Sequence, residues 1–186
     1  MTHHSLAGQG ARPRVPALVP LRRVVGAISR LTLWVAGAGL VLMTLAVAWQ
    51  VFGRYVLNAS PGWTEPTSLL LMSWFILLGA AVGVREGNHL GFEIGLHMAP
   101  PPLRRVLMLA THVLVLGFGV AMAWYGWQLS MKTWSAKMAG VGLPQGVDYL
   151  ALVGGGALIA LFSFEKILID LTEPAADPLP ELPAID

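Results

Sequence analysis

Cysteine is absent from this sequence, which excludes disulfides, thiol nucleophiles and thiolate metal sites. Charge is also scarce: Asp, Glu, Lys and Arg make up 12% of the 186 residues, against about 25% in a typical soluble domain. Hydrophobic residues make up 55%. A soluble helical bundle would have difficulty covering so much apolar surface with polar side chains, so the composition favours a membrane protein.

Four long stretches contain no Asp, Glu, Lys or Arg, and they have no polar face at the helical period of 3.6 residues. They are Leu31 to Gly53, Pro66 to Val84, Val106 to Met131 and Tyr149 to Phe164. At about 1.5 Å per residue the first three can cross a hydrocarbon core of about 30 Å. The fourth can be extended, because the ammonium of Lys166 can reach the headgroups. We therefore predict an all-α integral membrane protein with four transmembrane helices, at about 31–53, 66–84, 106–131 and 146–169.

The basic residues are distributed unevenly between the two sides of such a bundle. With the amino terminus in the cytoplasm, three of them lie outside, namely Arg54, Lys132 and Lys137, and the other nine lie inside. This bias predicts that both termini are cytoplasmic. We expect residues 1–29 to be an N-terminal tail with a basic juxtamembrane part, 30–170 the transmembrane domain, and 171–186 an acidic, proline-rich tail.

The start of the chain also allows a second interpretation. A basic beginning, an apolar run from Leu31 and the small residues Ala46, Val47 and Ala48 are typical of a cleavable signal peptide. The hydrophobic run continues beyond this triplet, whereas the apolar part of a signal peptide usually spans about 7 to 15 residues. We therefore favour a retained first span.

The connection between the first two spans places opposite charges at two helix ends. Arg54 follows the first stretch, where a cation is favourable, and Glu65 precedes the second, where an anion is favourable. An ion pair between them could hold the two helices together, and the alternative is two independent surface charges. We expect Thr64 to be the N-cap of the second helix and Pro66 to lie in its first turn.

The segment after the second span contains a four-residue repeat of possible ligands. On a helix His89, Glu93 and His97 would form one stripe that could bind Zn²⁺. Gly91 and Gly95 weaken helix formation there, and a further ligand is not apparent in the neighbouring sequence. We therefore expect a short amphipathic segment in the membrane interface between the second and third spans, and no metal.

His112 is the one ionisable residue well inside a predicted span. A b-type haem between helices would need a second imidazole, which the predicted spans do not offer. We expect a hydrogen-bonded structural histidine, with contact to a partner helix as the alternative.

Small residues occur four positions apart in three of the spans, a spacing that lets helix backbones approach closely. The candidates for helix packing are Gly79 with Gly83, Gly119 with Ala123, and Gly156 with Ala160. These faces could pack within the four-helix bundle or against a larger membrane protein.

Several segments together resemble the DctQ-type small membrane subunit of tripartite ATP-independent periplasmic (TRAP) transporters. The resemblance rests on Arg54-Tyr55-Val56 with Asn58 and Ser60 ahead of Trp63-Thr64-Glu65, on Arg85 with His89, Leu90 and Glu93, on Arg104 with Arg105, and on Gly142-Leu143-Pro144 with Gly146 and Tyr149. It covers about residues 25 to 170. Many members carry a second Glu after Trp-Thr-Glu, where this chain has Pro66.

This resemblance implies an accessory subunit in the bacterial inner membrane. Its expected partners are membrane lipid, a large permease subunit that holds the substrate and sodium sites, and a periplasmic substrate-binding protein that delivers an organic acid. Candidates for partner contacts or structural roles are Arg54, Tyr55, Asn58, Trp63, Glu65, Arg85, His89 and Glu93. The substrate itself would be selected by the partners.

The uncharged spans argue against other functions. A transporter usually keeps charged groups or broken helices near the middle of the bilayer, and an enzyme needs reactive groups or a cofactor. We expect no enzymatic activity, no cofactor in this chain and no nucleic-acid partner. A small oligomeric channel or exporter, or the anchor of a redox complex, remains an alternative, although Thr44, Gln50 and Ser73 do not form a continuous polar stripe.

Overall fold

The computed structural model describes residues 19–59, 61–87 and 101–172, in the last range without the side chains of residues 101, 102, 104 and 105. Within these ranges it forms four helices, α1 (Val19–Tyr55), α2 (Thr64–Glu86), α3 (Pro101–Thr133) and α4 (Gly146–Thr172). All four are long and apolar enough to cross a membrane, which confirms the predicted fold class. The predicted interfacial segment between the second and third spans lies outside the described residues.

Helix α1 begins well before the uncharged stretch that predicted it. Its 37 residues correspond to about 55 Å of helix, and the hydrocarbon core requires only about 30 Å. The basic segment from Arg22 to Arg30 is therefore helical. The helix also continues without interruption through Ala46, Val47 and Ala48, the triplet of the signal-peptide interpretation.

The helices lie in a row in the order α1, α2, α4, α3. Helix α2 packs against α1 on one side and α4 on the other, and α3 packs chiefly against α4. Trp74 and Leu77 of α2 lie against Gly154 and Gly155 of α4, so α2 and α4 run parallel. The two edge helices, α1 and α3, consequently leave most of their apolar surface open.

Helix α1 meets α2 through residues spaced three and four apart. Its buried residues include Val25, Ser29, Thr32 and Ala36, and Gly39 continues the same face against Phe75. This spacing is typical of helices that cross at a small left-handed angle. Most of these side chains are small, which brings the two backbones close together.

Helices α3 and α4 approach still more closely. A Cβ on Gly119 would lie 2.8 Å from the backbone nitrogen of Ala160, and one on Gly156 would lie 2.7 Å from that of Ala123. The two small-residue steps identified in these helices therefore face each other in backbone contact. By contrast, a Cβ on Gly79 or on Gly83 would meet no atom of the described residues within 4 Å.

Candidate functional site: polar junctions at the two ends of the bundle

At one end of the row α2 and α4 finish and α1 and α3 begin; we call it the Arg85 end. Here Nε of Arg85 donates to Oε2 of Glu165 across 3.3 Å, linking α2 to α4. The Glu165 side chain is only 5% exposed and that of Arg85 26%. A carboxylate this deeply buried needs a partner, and Arg85 supplies it.

The Arg85 guanidinium also reaches α1. A Cβ on Gly26 would lie 3.3 Å from its Nη2 atom, so the absence of a side chain at Gly26 leaves room for the guanidinium. Arg85 therefore joins three of the four helices at this end.

The carboxyl end of α2 is completed by a glycine and a lysine from α4. Gly87 adopts the left-handed conformation (φ 68°, ψ 26°), and its N–H donates to the Gly83 carbonyl across 3.2 Å. The Lys166 ammonium lies over Gly87, where a Cβ would be 2.9 Å from Nζ. A cation stabilises the exposed carbonyls at the carboxyl end of a helix, so Lys166 stabilises the end of α2 as well as that of its own helix, α4.

Helix α3 joins the Arg85 end through His112. Its Nδ1 atom lies 2.7 Å from Oδ2 of Asp170 in the last turn of α4. An ionised carboxylate only accepts hydrogen bonds, so the proton of this bond is on Nδ1. The prediction of a hydrogen-bonded structural histidine is confirmed.

Sequence reasoning did not identify Glu165 or Asp170. A usable signal was present, because Glu165 directly follows an uncharged stretch and lies at the same membrane level as Arg85. A charge at the edge of a span usually has a partner, and these two residues are of opposite sign.

We call the opposite end of the row the Arg54 end. Arg54 lies in the last turn of α1 and Glu65 in the first turn of α2, as predicted. Both are exposed, and among the described residues no ion pair joins them. The Arg54–Glu65 pair is therefore not formed, and the two residues are independent surface charges.

The loop after α1 is held by its backbone. Asn58 has a positive φ of 49°, which Asn tolerates better than most residues, and the Ala59 N–H donates to the Gly53 carbonyl across 3.0 Å. Gly53 is buried beneath this turn, because a Cβ there would lie 2.8 Å from the Ala59 oxygen. Asn58 thus has a conformational role, whereas Tyr55 is 78% exposed.

The start of α2 differs from the prediction. Trp63, not Thr64, occupies the N-cap position, and it makes no side-chain capping bond. The buried Thr64 hydroxyl instead donates backwards to the Pro61 carbonyl across 2.8 Å. It is therefore unavailable as a cap, although Pro66 lies in the first turn as expected.

The loop between α3 and α4 folds onto the loop between α1 and α2. Gly140, with φ 82°, lies against the backbone of Gly62 so closely that a side chain would collide with it. Within the loop between α3 and α4 the Met138 N–H donates to the Leu143 carbonyl across 2.8 Å. The two loops therefore form one continuous surface, on which Trp63 and Trp134 are roughly half exposed.

The part of the chain that the structure describes contains no group of three or more His, Asp or Glu residues that could hold a metal ion. The candidates His89 and Glu93, together with His97, lie outside the described residues.

Comparison with known proteins gives one family. Residues 43–173 match the family model for the DctQ component of tripartite ATP-independent periplasmic transporters. A Haemophilus influenzae protein named as a TRAP transporter small permease is 27% identical over 69% of this chain and 80% of its own length. The sialic acid TRAP transporter small permease protein SiaQ of Vibrio cholerae is 24% identical over 79% of this chain and 83% of its own length.

A further relative covers less of its own length. The C4-dicarboxylate TRAP transporter small permease protein DctQ of Pseudomonas aeruginosa is 34% identical over 58% of this chain and 53% of that protein. The matched region thus spans about half of that dicarboxylate relative. Because the family model covers more than two thirds of the sequence and all four helices are present, this chain belongs to the DctQ family of TRAP transporter small permease subunits.

Proposed function

We propose that this protein is a non-enzymatic scaffold in the bacterial inner membrane, with both termini in the cytoplasm. It holds a large permease subunit, which carries out ion-coupled transport with its own sodium sites, and it helps to dock a periplasmic substrate-binding protein. The coupling ion and the substrate are bound by those partners.

The observation that carries this proposal is the separation of charge from the middle of the bundle. Arg85, Glu165 and Asp170 lie at one end, and Arg54 and Glu65 at the other. The stretches between them contain no Asp, Glu, Lys or Arg. A path for a charged solute requires polar groups near the midplane, so the solute path is assigned to another subunit.

The open glycine step on α2 supports a partner helix. Gly79 and Gly83 have free space above them, and Met72, Ile76 and Ala80 extend the same exposed face. Small residues on one face of a transmembrane helix let a second helix pack closely against that face, so an open face of this kind is suited to a partner helix. We therefore assign this face to the large subunit.

The two ends then have different partners. The exposed residues of the Arg54 end, which are Arg54, Tyr55, Asn58, Trp63 and Glu65, face the periplasm and the binding protein. Arg85, with His89 and Glu93 of the following segment, anchors the cytoplasmic side. The named relatives concern C4-dicarboxylates and sialic acid, which are carboxylic acids, and on this basis we propose an organic acid as cargo.

Reconstitution into proteoliposomes tests the role. We expect no uptake of C4-dicarboxylate or sialic acid by this chain alone, and uptake when the large subunit and the binding protein are added. Uptake by this chain alone would refute the scaffold role.

Co-purification tests the assigned face. The variant Gly79→Val/Gly83→Val should lose the large subunit while keeping its helix content, because no residue in the described part of the chain fills that space. Gly37→Val on α1 is the matched control, since a Cβ at Gly37 also meets nothing within 4 Å. If Gly37→Val loses the large subunit and the α2 variant keeps it, the interface lies on α1 and not on α2.

A further inference from the structure

The outer face of α1 carries an apolar groove with a volume of about 680 Å³. It is lined by Leu33, Trp34, Gly37, Ala38, Val41 and Leu42. None of these residues belongs to the buried face that α1 packs against α2. The floor is low because Gly37 and Ala38 are small, and a Cβ on Gly37 would meet no atom of the described residues within 4 Å. The volume is in the range of about 300–1,000 Å³ that is usual for small-molecule sites.

Two arginines continue the same face of α1 towards the Arg85 end. Arg23, Arg30 and Gly37 follow one another at intervals of seven residues, which places them on one line along the helix. Both arginines are exposed, and α1 contains no Asp or Glu. Neither arginine forms an ion pair with a described residue. The charge at this end of the face is therefore not compensated within the described part of the chain.

Arg30 lies where the hydrocarbon core meets the headgroups, because it directly precedes the uncharged stretch that begins at Leu31. One helical turn further into the span, Leu33 and Trp34 lie on either side of the line from Arg30 to Gly37. Trp34 is 80% exposed, and its indole N–H is a hydrogen-bond donor at the level of the lipid ester groups. The face thus offers cations, then a polar donor, then an apolar groove, in the order of the parts of a phospholipid.

We propose that Arg23, Arg30 and the groove over Gly37 form a binding site for an anionic phospholipid of the phosphatidylglycerol type, in the leaflet at the Arg85 end. The guanidinium groups hold the phosphate through paired N–H donors. One acyl chain passes between Leu33 and Trp34 and lies in the groove.

The same face is poorly suited to a partner helix. Close packing of two helices requires small residues along the whole contact, and here the exposed Trp34 stands between Arg30 and the small residues. An acyl chain is narrow enough to pass beside the indole. The site is also separate from the open glycine step on α2.

Native mass spectrometry of the purified full-length chain in detergent, titrated with phosphatidylglycerol or with phosphatidylethanolamine, tests the site. We expect the first phosphatidylglycerol to bind at least about fivefold more tightly than the first phosphatidylethanolamine. Arg23→Gln/Arg30→Gln should remove this preference, because each arginine near an anionic lipid contributes about 1 kcal/mol, which is about fivefold in affinity. Binding of phosphatidylethanolamine should be unchanged in this variant, which shows that the fold is intact.

The groove is tested with all arginines in place. Gly37→Val should weaken phosphatidylglycerol binding by at least about fourfold, which corresponds to one buried CH₂ group of the acyl chain. The same variant is expected to keep the large subunit, so the lipid site and the α2 face are tested separately.

Two matched controls distinguish a site from general attraction to the membrane. Lys132→Gln/Lys137→Gln removes two exposed cations at the opposite end of the bundle, and Gly117→Val adds a side chain on α3 where a Cβ also meets no described atom within 4 Å. Both should bind phosphatidylglycerol as the wild type does. The site is rejected if the wild type binds the two lipids equally, if the lysine variant loses as much affinity as the arginine variant, or if Gly37→Val binds like the wild type.

Discussion

Three small-residue steps that look alike in the sequence have opposite surroundings in the structure. Gly119 on α3 and Gly156 on α4 are pressed against backbone atoms of the facing helix, whereas Gly79 and Gly83 on α2 face open space. The same spacing thus stabilises the fold in one region and leaves a free face in the other. Helix α4, which contacts all three of the other described helices, is the structural centre, and the outer face of α2 carries the open glycine step.

The largest effect should come from filling the two closed steps, on α3 and on α4. Gly119→Val/Gly156→Val places two side chains where no space exists, and each overpacked site costs roughly 1–3 kcal/mol. Gly79→Val/Gly83→Val should change the free energy of unfolding of the isolated chain by less than about 0.5 kcal/mol. Detergent-induced unfolding followed by far-UV circular dichroism measures both. Equal destabilisation of the two variants would remove the distinction between the faces.

A second contrast concerns two glutamates. Glu165→Gln weakens the pairing of Arg85, and we expect a loss of about 1–3 kcal/mol, at the lower part of this range because Arg85 is partly exposed. Glu65→Gln is the control, since Glu65 lies exposed on the open side of α2 and should be neutral within about 0.5 kcal/mol. The same unfolding measurement applies, and a neutral Glu165→Gln would show that the buried pair does not stabilise the bundle.

Two serines extend the comparison to neutral groups. Ser130→Ala removes the bond to the Gly146 carbonyl between α3 and α4 and should cost about 1 kcal/mol. Ser73→Ala removes only a bond within α2, to the Leu69 carbonyl, and should cost clearly less. Thermal unfolding of the two purified variants shows which substitution costs more stability. A larger loss for Ser73→Ala than for Ser130→Ala would contradict the central role of α4.

The smallest effect is expected at Arg54 and Glu65. Reversal of either charge should change stability by at most about 1 kcal/mol, and the double reversal should behave as the sum of the two, because the residues are not paired. A double-mutant cycle on the isolated chain measures the coupling. Rescue by the double reversal would demonstrate an ion pair that the structure does not contain.

The sequence predicted the helices well because their signal is local. The lengths of the uncharged stretches were sufficient to locate four spans. Arg54, Glu65 and Pro66 also occupy the helix ends where they were expected. The sites were predicted less well. Thr64 was assigned as a cap, but its hydroxyl is directed to Pro61, since the tight turn before α2 offers a nearby carbonyl acceptor.

The ion pairs show the same limit. Arg54 and Glu65 are near in sequence and sit at adjoining helix ends, yet the structure keeps them apart. Arg85 and Glu165 are 80 residues apart, and they meet because α2 and α4 run parallel, which brings the last turn of α2 beside Glu165. Such ion pairs can be identified from the sequence only when the order of the helices in the bundle is already known.

The sequence by itself determined that this protein crosses a membrane four times and belongs to the DctQ family, because hydrophobic length and short motifs are properties of the linear chain. Tertiary structure alone decided that α4 lies between α2 and α3, that Glu165 and Asp170 take the partners they have, and that the small-residue steps of α3 and α4 are filled while that of α2 is open. The physical reason is that lipid is as apolar as leucine. Burial in lipid therefore fixes which residues form helices, and close packing and a few polar contacts fix how those helices are arranged.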